Sequence, residues 1–344
     1  MEASPVKKRT KILCAAALAV LIGAAAALIP RTSTAQRVTT AMGSIVTQTV
    51  YGRSERALTQ TTVQAAQTIR QLENRISCKL DTSEISALNR TGTAEVSADT
   101  AALLTQLTAL QQASNGRYCI TMRPLTLLWD FDAAEFRVPS AEALRDAVSQ
   151  SGGLCAVDGC TVRLTRGTID LGSAGKGAAC DAAVAVYRAD DAVSSAVVAV
   201  GGSVGLYGQK GRDPWVVAIR DPDGSAADTL GTLSLSAGFV STSGTYEKVR
   251  TSGGARYHHL LDPATGYPAE TDLVSATVVC DSGALSDALA TACVVMGSAD
   301  GAALLQSYGA EYVLIDAQHQ ITVSAGLRDR FTLTASAYTL RESM

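Results

Sequence analysis

Two of the chain's three histidines stand side by side in HHLLDPATGYP, residues 258–268, next to an Asp-Pro turn. Imidazole has an ordinary pKa close to physiological pH, so it is suited to accepting a proton in a reaction. A zinc site is a poorer interpretation, because no cysteine is near and the H-x-x-x-H spacing is absent. The segment therefore predicts a loop, and its composition alone leaves the role of the two histidines open.

A glycine-rich turn with one lysine opens the segment DLGSAGKGAACDAAVAVY, residues 170–187. Such a turn exposes backbone N–H groups at a helix N-terminus, where phosphate is stabilised, and Lys176 adds a positive charge. It is not a Walker A sequence, because Lys176 is followed by Gly177 rather than by Ser or Thr. A phosphate site and an ordinary tight turn both stay open, and Asp170 could cap the turn or bind a ligand.

A carboxylate and a hydroxyl are four residues apart in SDALATA, residues 286–292. That spacing puts Asp287 and Thr291 on one face of a predicted helix. Both are hard oxygen ligands suited to Mg²⁺, which leaves room for phosphate oxygens. The alternative is a helix cap and a solvated threonine.

Taken together and in chain order, these segments resemble the ApbE family of FAD:protein FMN transferases. The resemblance extends over residues 42–297 and rests on the segments MGS (42–44), SEISALN (83–89), PLTLLWDF (124–131), IDLGSAGKGAACD, VVAVGGS, PWVVAIRDP, STSGTYEK (241–248), HHLLDPATGYP and SDALATACVVMG.

The resemblance implies an Mg²⁺-dependent enzyme that binds FAD, attaches FMN to a Ser or Thr hydroxyl of another protein, and releases AMP. It implies metal ligands at Asp287 and Thr291, with backbone oxygens near Ser173 and Ala290. The positions at which it implies FAD contacts are Met42, Asn89, Arg117, Tyr118, Cys119, Asp170, Lys176 and Leu261.

His259 matches the histidine of the family's H-x-x-D-P-x-T-G loop and is the expected base for the acceptor hydroxyl. The competing assignment makes His259 a flavin or pyrophosphate contact and leaves deprotonation to the metal site or to Asp287. Asp262 is expected to support the loop, and Pro263 and Gly266 to form the turn that holds it against the helix of Asp287.

The chain departs from the family pattern at two places near the flavin. Lys79 stands near a position where the family commonly has an aromatic residue, and it is expected to attract FAD phosphates. The family's Phe-Asp-Pro-Thr is replaced by residues 118–121, YCIT. Tyr118 is therefore expected to take over part of the flavin stacking.

Two other functions are consistent with the same residues. A hydrolase would use the same metal with water as the acceptor and would give free FMN and AMP. A non-catalytic extracytoplasmic flavin-binding protein would need neither metal nor base. The presence of Asp287, Thr291 and His259 together therefore disfavours it.

Helical spacing of apolar residues and helix start signals predict the elements that position these side chains. The predicted helices are residues 54–76, 97–114, 140–150, 175–189, 283–296 and 299–308. The predicted strands are residues 162–164, 168–171, 196–200, 215–219, 273–280 and 312–315. The resemblance implies a mixed α+β fold with largely antiparallel sheets flanked by helices, and an FAD cleft between two related halves.

The N-terminus predicts a membrane segment, because KKRTK at 7–11 precedes an uncharged run at 12–30 of nearly the ~20 residues that a membrane helix needs. The charges predict an extracytoplasmic location for the remainder. We expect an uncleaved anchor in residues 1–35, with cleavage and secretion as the alternative. Residues 31–41 are polar and predict a linker, followed by a flavin transferase domain within 36–340.

The composition of the chain limits the classes of molecule that it is expected to bind. The net charge of −3 comes without a basic stripe, which disfavours nucleic acid. The expected partners are FAD and an exported or membrane redox protein with a Ser or Thr acceptor. Because an exported protein can form disulfides, a Cys155–Cys160 bond across a predicted hairpin is one possibility and free thiols are the other.

Overall fold

The computed structural model describes residues 32–211, 213–225 and 227–341. The predicted membrane anchor at residues 12–30 lies outside these ranges and stays a prediction. Within the part of the chain that is described, no helix has both the length and the apolar composition needed to cross a membrane.

The described residues form eight α-helices, and all six helices predicted from the sequence are among them. Five helices begin at a serine whose side chain accepts a hydrogen bond from the first turn, as N-cap chemistry favours. The helices are α1 (Glu55–Ile76), α2 (Glu84–Thr91), α3 (Ala98–Ala113), α4 (Arg123–Trp129), α5 (Ala141–Ser149), α6 (Gly175–Ala189), α7 (Gly283–Met296) and α8 (Ser298–Ser307).

The strands confirm five of the six predicted segments and the α+β fold class. They are β1 (Ser33–Ala41), β2 (Ser44–Gly52), β3 (Thr93–Glu95), β4 (Cys155–Asp158), β5 (Thr161–Leu164), β6 (Val193–Val200), β7 (Ser203–Gly208), β8 (Trp215–Arg220), β9 (Thr229–Leu235), β10 (Gly238–Gly244), β11 (Arg250–Ser252), β12 (Ala255–Tyr257), β13 (Leu273–Cys280), β14 (Glu311–Asp316), β15 (Gln320–Val323), β16 (Phe331–Leu333) and β17 (Thr339–Leu340).

The largest sheet has nine strands in the order β1-β2-β6-β7-β10-β13-β14-β15-β17. Its neighbouring strands are antiparallel except for β15 with β17. Helices α1, α6 and α7 pack in a layer on one face, with α6 between the other two. A smaller sheet, β16-β9-β8, shares a second apolar core with the large sheet.

The prediction of a linker over residues 31–41 is wrong, because Ser33–Ala41 is strand β1 at the edge of the large sheet. It pairs with all nine residues of β2 through a two-residue turn. Met42 and Gly43 in that turn have φ of 55° and 64°, as the tight turn of a twisted hairpin requires. The polar residues of β1 misled the prediction because an edge strand exposes much of its surface to water.

The prediction of a strand over residues 168–171 is also wrong. Of these residues, only Thr168 forms an isolated bridge, to Met122. The following backbone is satisfied by other partners, because Ile169 N donates to Asn89 Oδ1 at 2.6 Å and Asp170 N donates to Ile120 O at 2.8 Å.

The hairpin predicted around Cys155 and Cys160 is present as β4 and β5, but both thiols are free. Cys155 pairs with Leu164 at the far end of the hairpin, whereas Cys160 lies in the turn. Cys155 to Asp158 alone spans about 10 Å at ~3.3 Å per residue. That is longer than the Cα separation of about 7 Å that a disulfide tolerates.

Candidate active site

The first turns of α6 and α7 touch each other through two glycines. A side chain at Gly177 would overlap the carbonyl oxygen of Gly283, and a side chain at Gly283 would overlap that of Gly177. Only glycine permits such a close approach of two backbones. The glycine-rich turn therefore serves helix packing, and it brings the N-termini of both helices to one place.

Asp287, predicted as a metal ligand, lies at this crossing and is only 2% exposed. Its Oδ2 accepts a hydrogen bond from Gly177 N–H at 3.0 Å, and its Oδ1 is 3.6 Å from Lys176 Nζ. A buried carboxylate is costly unless it is hydrogen-bonded and paired with a charge. Both conditions are met, so the structure brings together two residues that were predicted from separate motifs.

Thr291 follows Asp287 by one helical turn, and its hydroxyl oxygen is 3.1 Å from Ser243 Oγ on β10. Ala290, whose backbone was the other predicted ligand on this helix, is fully buried. No group of three or more His, Cys, Asp or Glu residues suited to a metal occurs in the described ranges. A cation here would depend on one carboxylate with hydroxyl and backbone oxygens, a hard donor set that fits Mg²⁺, which usually keeps several waters.

Asp170 stabilises the turn that leads into α6. Its Oδ1 accepts a hydrogen bond from Gly172 N at 2.9 Å, and its Oδ2 accepts one from Thr126 Oγ1 at 2.8 Å. Lys176 Nζ also lies 3.4 Å from the carbonyl oxygen of Gly172. The lysine ammonium is therefore held between the turn and Asp287.

Tyr118 lies beneath this turn, and the prediction that it takes part in flavin stacking stays a prediction. Its side chain is 2% exposed, and its hydroxyl oxygen accepts a hydrogen bond from Ser173 Oγ at 3.1 Å. Burial raises the pKa of Tyr118, and the charges of Asp287 and Asp170 raise it further. Tyr118 is therefore neutral and supports Ser173 in the turn.

His259 has the geometry of a proton acceptor. Its Nδ1 lies 3.1 Å from the carbonyl oxygen of Glu247, which can only accept a hydrogen bond, so Nδ1 carries the proton and Nε2 keeps a lone pair. Burial, together with the positive charges of Lys248 and Lys176, lowers its pKa to about 4, although the hydrogen bond to Glu247 opposes this shift. The imidazole is therefore neutral at physiological pH and within electrostatic range of Lys176.

The loop of His259 packs on α4 and α5, whereas its turn was expected to hold it against the helix of Asp287. Asp262 Oδ1 accepts a hydrogen bond from Ala264 N at 2.9 Å, which confirms its supporting role. The carbonyl of Gly266 accepts a hydrogen bond from Trp129 Nε1 at 2.7 Å. Leu261 is 5% exposed and packs in a small core with α4 and α5. The turn thus packs against α4 and α5, because their apolar side chains provide the complementary surface.

Arg117 connects this loop to α7. Its guanidinium donates to the carbonyl oxygen of Val295 at 2.8 Å and lies 3.7 Å from Asp262 Oδ2. Positive charge near the C-terminal end of a helix is favourable. The structure therefore assigns Arg117 contacts that fix the loop relative to the helix of Asp287.

The remaining predicted FAD contacts differ in how close they are to the crossing. Met42 is near it, because a side chain on Gly175 would meet the Met42 methyl group. Asn89 lies behind the glycine turn and bonds both backbone groups of Ile169, with Nδ2 donating to the carbonyl at 2.9 Å. Cys119 is buried, with Sγ 3.5 Å from Thr121 Oγ1. Asn89 and Cys119 thus have structural contacts.

Lys79, expected to attract phosphate, instead pairs with Asp132 at 2.8 Å, and Lys248 pairs with the same carboxylate at 2.9 Å. The hydrogen bonds from Lys79 and then Lys248 lower the pKa of Asp132 to about 2. This bridge joins the segments that follow α1, α4 and β10.

Comparison with known proteins gives the family. The ApbE family model matches residues 42–314. This chain belongs to the ApbE family. A Treponema pallidum relative named FAD:protein FMN transferase is 30% identical over 323 residues, which cover 87% of this chain and 89% of the relative.

Solved structures of ApbE proteins have the same fold. The ApbE protein of Thermotoga maritima superposes with a TM-score of 0.77 at 28% identity, over 86% of this chain and 98% of that one. The apo flavinyl transferase ApbE of Pseudomonas stutzeri gives a TM-score of 0.72 at 26% identity, over 89% of this chain and 96% of that one.

Sequence reasoning left two site residues of this ApbE chain unassigned. Ser243 lies in the segment STSGTYEK, where alternation along β10 would have placed Ser241 and Ser243 on one face. Ser241 Oγ does lie 2.8 Å from Ser286 Oγ on α7. Asp181 is the last residue of the segment IDLGSAGKGAACD, and the sequence alone gave no reason to assign it a role. In the structure, both of its carboxylate oxygens accept hydrogen bonds from α7.

Proposed function

We propose that this ApbE chain is an FAD:protein FMN transferase. It transfers the FMN part of FAD to a Ser or Thr hydroxyl of a partner protein and releases AMP, with Mg²⁺ as cofactor. The observation that carries the proposal is the crossing of α6 and α7 near their N-termini, where Asp287 pairs with Lys176, with Thr291 one turn further along α7. Family membership adds the substrate and reaction class, which the names of its relatives give for those proteins.

The crossing suits a pyrophosphate. Lys176 provides a positive charge, and the dipoles of the two helices are positive at their N-termini, which favours an anion. Asp287 Oδ2 is occupied by Gly177 N–H, so Oδ1 is the oxygen that faces Lys176 and is free for a cation. Mg²⁺ bound there would polarise the attacked phosphorus and neutralise charge on the leaving AMP.

Transfer needs a balanced exchange of bonds at phosphorus. The acceptor hydroxyl oxygen forms a new bond to the FMN phosphorus, and the bond from that phosphorus to the AMP oxygen breaks. His259 Nε2 takes the hydroxyl proton, because the Glu247 carbonyl fixes the tautomer with Nδ1 protonated. Lys176 stabilises the growing negative charge on the phosphate oxygens.

The partner and location are proposed from the sequence. The apolar run at 12–30, preceded by the charges at 7–11, supports an extracytoplasmic enzyme that is anchored or secreted. An exported or membrane redox protein with a Ser or Thr acceptor is the partner that this location favours.

The test incubates the full chain with FAD, Mg²⁺ and an exported candidate protein, followed by in-gel flavin fluorescence and intact mass. A mass gain of one FMN on the partner, lost on adding EDTA, is the expected result. Free FMN and AMP without labelled protein would show a hydrolase instead, and unchanged FAD with every candidate would indicate a flavin-binding protein.

A further inference from the structure

Asp181 makes contacts that the proposed reaction does not use. It lies in the second turn of α6, and its two carboxylate oxygens accept hydrogen bonds from the neighbouring helix, Oδ1 from Gly283 N at 2.7 Å and Oδ2 from Ala284 N at 2.8 Å. A helix start leaves such N–H groups without partners within the helix. Two of them on α7 are thus satisfied by a side chain of α6.

The helices cap each other reciprocally. Asp287 of α7 accepts a hydrogen bond from Gly177 N in the first turn of α6, while Asp181 of α6 bonds the first turn of α7. The direct contact of Gly177 with Gly283 lies between these two interactions. Any shift of α7 along α6 would break the Asp181 bonds and move Asp287 away from Lys176.

We infer that Asp181 is a positioning residue, which sets the register of α7 on α6 so that Asp287 Oδ1 and Thr291 face the site together. Asp181 touches neither Lys176 nor Asp287, so its effect is indirect. The inference rests on the proposed function, because it concerns the cation that Asp287 and Thr291 would bind.

Ser140 offers a matched control. Its side chain also caps a helix, accepting a hydrogen bond from Ala143 N at 3.2 Å at the start of α5. Removing Ser140 Oγ therefore weakens a helix start without removing a hydrogen bond between α6 and α7. The comparison separates positioning from ordinary helix capping.

The experiment measures Mn²⁺ binding, as a probe for Mg²⁺, by electron paramagnetic resonance on the full chain with FAD present. Because burial raises the pKa of Asp181, the measurements are made at about pH 8, well above the ordinary pKa of an aspartate. We expect Asp181→Ala to weaken Mn²⁺ binding by about tenfold or more, as loss of an orienting group does at other metal sites. Ser140→Ala should stay within about twofold of wild type.

Each other outcome counts against the inference. Unchanged Mn²⁺ binding in Asp181→Ala would overturn it, and so would equal weakening in Ser140→Ala, which would make the effect that of losing any helix cap. If Asp181→Ala does not fold, Asp181→Asn keeps one accepting oxygen and should show a smaller weakening in the same direction. Failure of wild type to bind Mn²⁺ would instead refute the proposed metal itself, and with it this inference.

Discussion

At the residue scale, Asp287 combines a structural and a chemical role in one carboxylate. One oxygen holds the start of α6 through Gly177 N–H, and the other faces Lys176. Breaking a buried charge pair leaves the remaining charge without compensation, which is costlier than losing a surface pair. The site therefore tolerates few changes at this position.

Asp287→Asn is expected to lower the FMN transfer rate by at least ~100-fold, because it removes the only carboxylate of the proposed cation site. The measurement is the initial rate of partner flavinylation at saturating FAD and Mg²⁺. Asp300→Asn, at an exposed position in α8, is the matched control and should keep the wild-type rate. Normal transfer by Asp287→Asn would refute the metal assignment.

His259 gives a pH prediction with a definite sign. Its pKa is about 4 in the folded state against 6.5 for an ordinary histidine, so below pH 6.5 the unfolded chain binds a proton that the folded chain does not. Stability from this residue is fully present above pH 6.5 and falls as the pH is lowered toward 4. When the free energy of unfolding is measured in urea, it should fall less for His259→Gln than for wild type as the pH is lowered from 6.5 toward 4. Parallel pH curves for the two proteins would contradict the assignment.

At the element scale, the two glycines at the start of α6 and α7 decide where the chemistry can occur. Their backbones touch, so the two helices are closer there than side chains would allow. Lys176 and Asp287 come within pairing distance as a consequence.

Gly177→Ala is expected to destabilise the fold by at least ~3 kcal/mol, because the added methyl group would overlap the Gly283 backbone and neither backbone can yield. Thermal or urea unfolding measures the change. Gly309→Ala is the control, since its positive φ costs about 1 kcal/mol but no atom lies near the added group. Equal costs for the two variants would mean that the helices can separate.

The elements themselves could largely be predicted from the sequence, whereas their contacts could not. Helices α1 and α7 follow from regular apolar spacing and serine caps, which are local signals. The pairing of Lys176 with Asp287 depends on a helix crossing over 100 residues apart in the chain, which local patterns do not encode. Tyr118 shows the same limit, because its burial depends on packing beneath the glycine turn.

At the scale of the whole molecule, the large sheet begins with the edge strand β1, whose polar sequence had predicted a linker. All nine residues of β1 pair with β2, and Ala35 and Ala41 are buried against the core. Helix α1 packs on the same ribbon, with Arg37 Nε donating to Thr62 Oγ1 at 3.1 Å.

A chain that begins at Met42 should therefore be less stable than one that begins at residue 32, by several kcal/mol, because it loses a full ladder of hydrogen bonds and exposes β2. Differential scanning calorimetry of the two proteins measures the difference. Equal unfolding temperatures would show that β1 contributes little, as a linker would.

Because α6 and α7 cap each other, hydrogen exchange at three backbone amides can measure how often the two helices separate. The amide hydrogens of Gly177, Gly283 and Ala284 are bonded to the two aspartates rather than to a helix ladder. Such amides exchange only when the two helices separate, so their protection measures that local opening and not fraying of either helix. Ligands that tighten the crossing would slow all three together.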